Sequence, residues 1–565
     1  MDLRGVIRKH ALKNAFDYGE AKPGSVVGKV IGEFPEAKKD MKATMKIINE
    51  VVKEVNSLSK EQLSEQLSEY EFEKKEEQEK SWDLEGAVKG EVVTRFLPEP
   101  NGYPHIGHAK AAWISREFAD QWEGDMILRF DDTNPEKEKL EFVDAITDDL
   151  KWLGLTWSKQ SFTSDLMPTF YEIARKMIEN EDAYVCTCDR ETISQTRREG
   201  KPCECRSRSK QENIQMWEQM LGKKFKKGEA ILRLKGDMES LNTVMRDPSL
   251  FRINYTTHYR KGDEYCVWPT YDFEVSIADS LDGVTHAFRS KEYELRDELY
   301  YYILDKAGLR KPVVYDFSRL NIKGTKLSKR FLRPLIEEGK LSGWDDPRLP
   351  SVRGLRRRGI LPEAIRNFVV SFGLSKVESE PTWKALFVEE KKLIEPTSDH
   401  YFFVASPVKL EVEGATGEEV ELAKHPSREN PGVRKIKTGS AFYLAKKDAG
   451  KMSEGEELRL KDLYNIKVKS VSSDLVKAEF IGNESIEGRK IQWVTEEGKV
   501  PVKVMVLGDL FNEKGEFNED SLKWDEGFAE SAVTGLEHGD VIQFERYGFC
   551  RLDSKEKMEF IFVTW

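Results

Sequence analysis

Two of the chain's eight histidines, His105 and His108, stand three residues apart in PEPNGYPHIGHAK, directly behind a turn rich in proline and glycine. Gly102 and Gly107 let the backbone come close to a ligand, and Pro104 stiffens the turn. The pattern predicts a helix beginning near Ile106, whose first N–H groups are unpaired and attract an anion. Two imidazoles at that helix start can each donate a hydrogen bond to a phosphate oxygen that gains charge in a transition state. The chemistry expected is triphosphate binding. Taken alone, the pair reads more simply as two surface histidines.

A second stretch changes the balance. Residues 324 to 330, GTKLSKR, form a Gly–Thr loop carrying Lys326, Lys329 and Arg330. Such a loop suits a mobile cationic lid over leaving pyrophosphate, with Lys329 as a point charge. Either motif is weak by itself; two in one chain, each at the edge of one sheet, are strong.

Of the six cysteines, four form two C-x-C pairs in YVCTCDRETISQTRREGKPCECRSR: Cys186, Cys188, Cys203 and Cys205. Four closely spaced thiolates read as a tetrahedral zinc site with a structural role, although C-x-C is tighter than the usual C-x₂-C. The alternative is four reduced thiols in a loop. Cys266 and Cys550 are isolated and read as ordinary buried thiols.

These residues need elements to hold them. VVTRF predicts a strand, Ile106, Ala109, Ala112 and Trp113 repeat as a helix does, and DMILRF predicts a second strand ending at Asp131 and Asp132. Strand, loop, helix, strand opens a parallel α/β unit, in which ligands bind where strands end and helices begin. The segment from about 184 to 266 reads as an insertion, carrying the cysteines and a strand in EAILRLKG. Residues 1 to about 58 read as helical, with Val51, Val52, Val55 and Leu58 as an apolar stripe. The charged run from 59 to 80 reads as a solvated helix or linker. Residues 341 to 395 read as helical, and from about 406 short alternating runs predict an all-β region. The expected domains are 1–88, 89–340 with its insertion, 341–400 and 401–565.

With 39% apolar and 34% charged residues, the chain is of the globular class. No apolar run approaches the roughly 18 residues of a spanning helix, and no signal-peptide core is evident, so a cytoplasmic location is expected. The net charge of −11 argues mildly against a general nucleic-acid binder but leaves room for local basic patches, of which Arg353, Arg356, Arg357 and Arg358 are a candidate.

RFLPEPNGYPHIGHAK and LSKR resemble the two signatures of class I aminoacyl-tRNA synthetases. ILRFDDTNPEKE, MRDPSLFRI, PTYDFEVSIADSLDGVTHA and SGWDDPRLPSVRGLRRRG narrow the resemblance to the glutamyl/glutaminyl branch, over roughly residues 90 to 565. The first ninety residues resemble the extension of archaeal glutamyl enzymes. The β-rich tail is similar to the paired β-barrels of archaeal, eukaryotic and glutaminyl forms. The implied fold is multidomain: a Rossmann-type α/β catalytic domain with an acceptor-binding insertion, a helical stem-contact domain, a two-barrel anticodon region and an N-terminal helical extension.

The implied reaction has two steps. A substrate carboxylate attacks the α-phosphate of ATP, giving an acyl-adenylate and pyrophosphate, and the tRNA 3′ adenosine then takes the acyl group. Mg²⁺ is expected with the ATP. By the resemblance, Glu99, Pro100, Asn101 and Gly107 belong to the ATP turn, His105 and His108 sit at its phosphates, Arg319 and Leu320 lie at adenine, and Lys326, Ser328 and Lys329 at the phosphates. Arg95, Asp131, Tyr271 and Arg289 line the amino-acid pocket, with Asp131 and Tyr271 on the α-ammonium.

Arg289 decides between the two substrates. By the resemblance it falls where glutamyl enzymes carry arginine and glutaminyl enzymes a small thiol, and Ala287, Tyr293 and Val314 also fit the glutamyl pattern. Glutamine would leave a buried Arg289 without a counter-charge, at a cost of about a few kcal/mol. L-glutamate is therefore the expected substrate, with a glutaminyl enzyme as the alternative. Partners expected are tRNA(Glu), with tRNA(Gln) left open, and the chain is expected to act as a monomer. Arg206, Arg208, Lys210 and Arg246 of the insertion are candidate contacts to the acceptor end.

Overall fold

The computed structural model describes residues 2–18, 20–58, 60–67, 70, 83–484, 486 and 488–565. Two compact units divide it, Met1–Asp83 and Leu84–Trp565. The first holds helices α1 (Leu3–Tyr18), α2 (Pro23–Glu33), α3 (Met41–Asn56) and α4 (Lys60–Leu67). α3 starts where the Asp40 side chain accepts from Ala43 N, and its buried face is Thr44, Ile48, Val51, Val52 and Val55, the helical repeat the sequence shows. These pack with Val6, Ile7, Leu12, Val26 and Val30 into a core of the unit's own. Of the charged run 59–80, α4 and Tyr70 are described, and the remainder lies outside the described residues.

The second unit opens with β1 (Val93–Phe96), α5 (Ile106–Gln121), β2 (Asp125–Phe130), α6 (Leu140–Trp152) and β3 (Lys159–Phe162). The three strands pair in parallel, in chain order. Met126, Ile127, Leu128 and Phe130 are buried, so the apolar run of DMILRF is what a sheet covered on both faces requires. α7 (Met167–Glu179) leads to a four-stranded antiparallel sheet of β4 (Ala183–Cys186), β5 (Ile231–Leu234), β6 (Ser249–Ile253) and β7 (Val267–Pro269), with α8 (Arg190–Glu199) and α9 (Lys210–Leu221) between β4 and β5. This is the expected insertion, and its apolar core around Trp217, Phe251 and Trp268 is continuous with residues such as Phe170, Phe273 and Leu299 that flank it in the chain.

The parallel pattern resumes with α10 (Tyr271–Leu281), β8 (His286–Ser290), α11 (Asp297–Ala307) and β9 (Val313–Phe317), where β8 and β9 pair in parallel. Thr285 N donates to Val93 O at 2.8 Å, which sets β8 beside β1. The carboxyl ends of β1, β2, β8 and β9 thus open toward one side, as the α/β rule requires. Four helices follow: α12 (Lys329–Glu337), α13 (Val352–Arg358), α14 (Pro362–Val370) and α15 (Trp383–Ile394). Their residues Val352, Leu355, Ile365 and Phe368 bury in the same core as Phe96, Ile106 and Leu128.

The remainder is dominated by β-structure, as expected: two seven-stranded sheets and a two-stranded one of Glu419–Ala423 and Val433–Lys437, with a short helix Lys446–Ala449. One runs in the order His400–Tyr401, Val541–Phe544, Gly548–Ser554, Glu559–Thr564, Lys499–Leu507, Leu522–Glu530, Phe403–Ala405. The other runs Lys490–Ile491, Glu457–Leu460, Asn465–Val471, Leu475–Gly482, Pro407–Glu413, Ala441–Ala445, Val494–Thr495. Cys266 and Cys550 are both buried thiols. No described helix is long and apolar enough to cross a membrane.

Candidate active site

A cavity of about 970 Å³ opens at the carboxyl ends of β1, β2, β8 and β9. Its floor near α5 is fixed from both sides. Ile106 N donates to Pro350 O and Val352 N to Pro104 O, both at 3.0 Å, so the segment before α13 clamps the helix start.

His105 is the N-cap of α5. Its Nδ1 accepts from Gly107 N at 3.1 Å, and His108 Nδ1 accepts from His105 N at 3.1 Å, a reciprocal cap built from imidazoles. With both Nδ1 atoms accepting, the neutral rings carry their protons on Nε2. Burial pushes His105 down to about 4 and His108 well below its ordinary value, helped by the nearby Lys329. The two rings lie 3.9 Å apart between centroids and stay neutral donors.

Lys329 is the first residue of α12, and its Nζ donates to Asn101 Oδ1. It lies so close across the turn that a Cβ on Gly102 would meet its Cε at 2.5 Å, so a larger residue there would push the lysine's flexible end aside. Burial lowers the Lys329 ammonium to about 8. The loop before it is anchored, since Lys323 N donates to Pro381 O at 3.0 Å and Trp383 Nε1 to Thr325 Oγ1 at 2.8 Å.

Arg289 lies on β8, about 3% exposed, at the other end of the cavity. Its guanidinium sits 5.9, 5.2 and 5.3 Å from the rings of Tyr271, Tyr293 and Tyr300, an aromatic enclosure that suits a partly desolvated cation. Its Nη1 donates to Asp297 Oδ1 at 3.1 Å, while its buried Nε has no partner among the described residues. Arg95 also lines the cavity, but Asp279 already matches its charge through bonds of 3.1 and 3.2 Å, and Phe288 O accepts from it at 2.7 Å. Asp131 follows β2 directly and lines the cavity, and burial, with Glu99 and Asp132 close by, pushes its carboxyl up to about 7. An ammonium brought to Asp131 would favour its ionised form.

The cavity therefore brings together Arg95, Glu99, Asn101, His105, Gly107, His108, Asp131, Tyr271, Arg289, Arg319, Leu320, Ser328 and Lys329. Two expected members are elsewhere. Pro100 is buried under the turn, its carbonyl accepting from Lys139 N. Lys326 does not line the cavity: its Nζ donates to Gly515 O at 2.5 Å, close to the rings of Phe331 and Phe511. Arg319, still at the rim, pairs with Glu292.

Lys110 and Glu138 were not legible as cavity residues. Lys110, about 1% exposed, donates to Ser318 O at 2.6 Å and so ties α5 to the segment carrying Arg319 and Leu320. Its signal was there: a lysine four residues after Ile106, on the face that the helical repeat gives to the core. Glu138 is pushed up to about 10, by burial first and then by Asp131.

The four cysteines meet as expected. Their sulfur atoms all lie within 4.8 Å of one another, with Cys186–Cys203 at 3.8 Å and Cys188–Cys205 at 3.6 Å. Tetrahedral zinc at about 2.3 Å from each sulfur needs sulfurs about 3.8 Å apart, so the set fits that ion. Arg233 Nη1 lies 3.6 Å from Cys203 Sγ, a cation placed to offset thiolate charge.

The candidate basic patches are largely paired. Arg353 pairs with Asp149 at 3.3 Å and Arg357 with Asp553 at 2.8 Å, while Arg358 donates to Val563 O at 3.1 Å. Arg206 meets Asp247 at 2.9 Å, and Arg208 and Arg246 donate to backbone carbonyls. In this arrangement these arginines brace the fold.

Three family models match the chain in sequence: the catalytic domain of class I tRNA synthetases (E and Q) over residues 91–396, and two anticodon-binding domains of the same class over 398–481 and 490–553. The glutamate–tRNA ligase of Cenarchaeum symbiosum is 44% identical over 562 residues, covering 99% of each chain. That of Nitrosopumilus maritimus is 45% identical over 566 residues, again covering 99% of each. That of Pyrococcus furiosus is 38% identical over 582 residues, covering 100% of this chain and 99% of the relative.

Proposed function

The chain belongs to the class I tRNA synthetases of the glutamate and glutamine branch, in its archaeal glutamyl form, and we propose that it ligates L-glutamate to the 3′ end of tRNA(Glu) through a glutamyl-adenylate. The observation that supports glutamate over glutamine is Arg289, a buried cation at the cavity wall with an unpartnered Nε. A γ-carboxylate brings that donor an anionic acceptor, whereas an amide brings only a neutral one.

The α-ammonium of glutamate binds Asp131 and Tyr271, which aims the α-carboxylate toward the nucleotide. The two Nε2–H groups of His105 and His108 donate to phosphate oxygens, and Lys329 adds a positive charge as the α-phosphate is attacked and pyrophosphate leaves. Positioning and fixed charge supply the catalysis, and no covalent enzyme intermediate is needed. ATP carries Mg²⁺, which offsets phosphate charge. Cys186, Cys188, Cys203 and Cys205 hold a structural zinc in the insertion that receives the acceptor end. In this reading the enzyme works in the cytoplasm as a monomer, and the two β-sheets after residue 400 read the anticodon.

Charging of purified tRNA(Glu) and tRNA(Gln) with labelled glutamate and labelled glutamine tests the proposal. Glutamate should be esterified to tRNA(Glu), and glutamine to neither. Glutamine-only charging would reject the reading, and glutamate on tRNA(Gln) would add a second acceptor.

A further inference from the structure

Resting on the reading of Asp131 as the partner of the α-ammonium, we propose that His258 of the insertion is a positioning residue for glutamate. Its Nε2–H holds the segment Asp132–Glu138 and so sets where Asp131 stands, although the imidazole itself does not line the cavity.

His258 lies in the loop between β6 and β7, bridged to Gly262 across a tight turn. It is about 1% exposed, and its ring stacks on Trp268 with 5.0 Å between centroids. The turn fixes its tautomer. Nδ1 accepts from Arg260 N at 3.2 Å and from Lys261 N at 3.0 Å, so the neutral ring carries its proton on Nε2. Burial lowers the imidazole to about 4, which keeps it neutral at working pH. Nε2–H then donates to Asp132 O at 3.0 Å. The same nitrogen lies 3.7 Å from Asp132 Oδ2 and 3.7 Å from Glu138 Oε2, an oxygen buried without a hydrogen-bond partner among the described residues.

The neighbours of His258 complete the grip. Tyr259 Oη donates to Asp132 Oδ2 at 3.1 Å, and Ser164 N and Oγ donate to the two Asp132 carboxyl oxygens, each at 2.8 Å. Arg260 Nη1 donates to Ser164 Oγ at 3.0 Å, with its guanidinium 3.6 Å from the ring centre of Phe162. Asp131, Thr133, Asn134 and Glu138 line the cavity, and Asp132 is buried behind them. From the other side Asp131 N donates to Pro98 O at 3.0 Å, and Glu138 Oε1 accepts from Asn134 N at 2.8 Å. Asp131 is therefore anchored on one side to the segment after β1 and on the other to a loop of the insertion. Removing the Nε2–H donor takes a buried carbonyl's partner away, and the segment must shift to find another. The Asp131 carboxylate shifts with it, and a displacement of about 1 Å is enough to weaken a positioned contact.

The test is the kinetics of tRNA(Glu) charging by two variants that split the imidazole. Asparagine keeps an acceptor near Nδ1 and loses the donor at Nε2, whereas glutamine keeps a donor near Nε2 and loses the acceptor. His258→Asn should raise the glutamate KM about tenfold while kcat and the ATP KM stay within about twofold, and His258→Gln should keep all three within about twofold of the parent. A role in the turn alone gives the reverse order, with glutamine the damaging change, and overturns the inference. Parent values in both variants overturn it too, as does a common rise in the glutamate and ATP KM. If His258→Asn does not melt like the parent, Tyr259→Phe decides, since it weakens the same grip on Asp132. A glutamate KM raised about threefold there at an unchanged ATP KM upholds the inference, and a parent value overturns it. Asp131→Asn separates the two levels. An unchanged glutamate KM there removes the reading of Asp131 and the inference with it. A raised one, with parent-like His258→Asn and Tyr259→Phe, removes only the role of His258.

Discussion

Because their Nδ1 atoms cap α5, His105 and His108 can offer a phosphate only Nε2–H, and burial keeps that donor neutral through ordinary working pH. Cationic charge at the phosphates therefore falls to Lys329, whose ammonium burial brings down to about 8. A lowered lysine is charged below that value and loses its proton as pH rises through it. The free enzyme's kcat/KM for ATP should therefore fall as pH rises through about 8, and Lys329→Arg, whose guanidinium does not titrate there, should flatten this alkaline limb while lowering kcat. A limb unchanged in the arginine variant would assign it to another group, Lys110 first, since burial brings that lysine to about 8 as well. At this scale the sequence was most legible where a residue type is costly to place without a reason, as with paired histidines behind a glycine turn. For Lys326 the spacing along a loop does not say which way a long flexible side chain turns, and here it lies against two aromatic rings.

Among the elements, those with one strong period were legible: β1, α5, β2 and the helices of the first unit follow their apolar repeats closely. Short pieces such as Lys490–Ile491 and Val494–Thr495 were not separable, because two residues carry no period and only their partners in the sheet define them. The cysteine set shows how one element can depend on an ion. Cys186 ends β4, Cys188 follows it, and Cys203 and Cys205 come from the turn after α8, so ligation ties the two ends of a hairpin-like excursion. The sulfurs hold each other only through weak contacts of 3.6 and 3.8 Å. The purified protein should carry one zinc per chain by elemental analysis. Cys203→Ser should lose it, lower the melting temperature and reduce charging of tRNA. Zinc-free parent protein with an unchanged melting curve would leave only the reduced thiols.

For the whole molecule, the division at Asp83 has a consequence that composition alone does not give. The first unit buries Val6, Ile7, Leu12, Ile48, Val51 and Val55 among themselves, and a fully buried side chain of this kind is worth about 1.5–3 kcal/mol. The cavity, by contrast, is lined entirely by residues between Arg95 and Lys329. The helices α13 to α15 bury in the same core as β1 and α5, and Arg357 and Arg358 bond to Asp553 and Val563 of the C-terminal sheet, so everything from Leu84 onward should stand or fall together. A chain beginning at Leu84 should therefore fold with the parent's near-ultraviolet dichroism and form glutamyl-adenylate at a rate within about threefold of the full chain, because it keeps every residue that lines the cavity. A chain ending at Glu395 should instead aggregate or melt without cooperativity, since it exposes the surface of α13 and α15 that the β-sheets cover. Loss of adenylate formation in the first truncation, with its fold intact, would mean that the helical unit supplies part of the site.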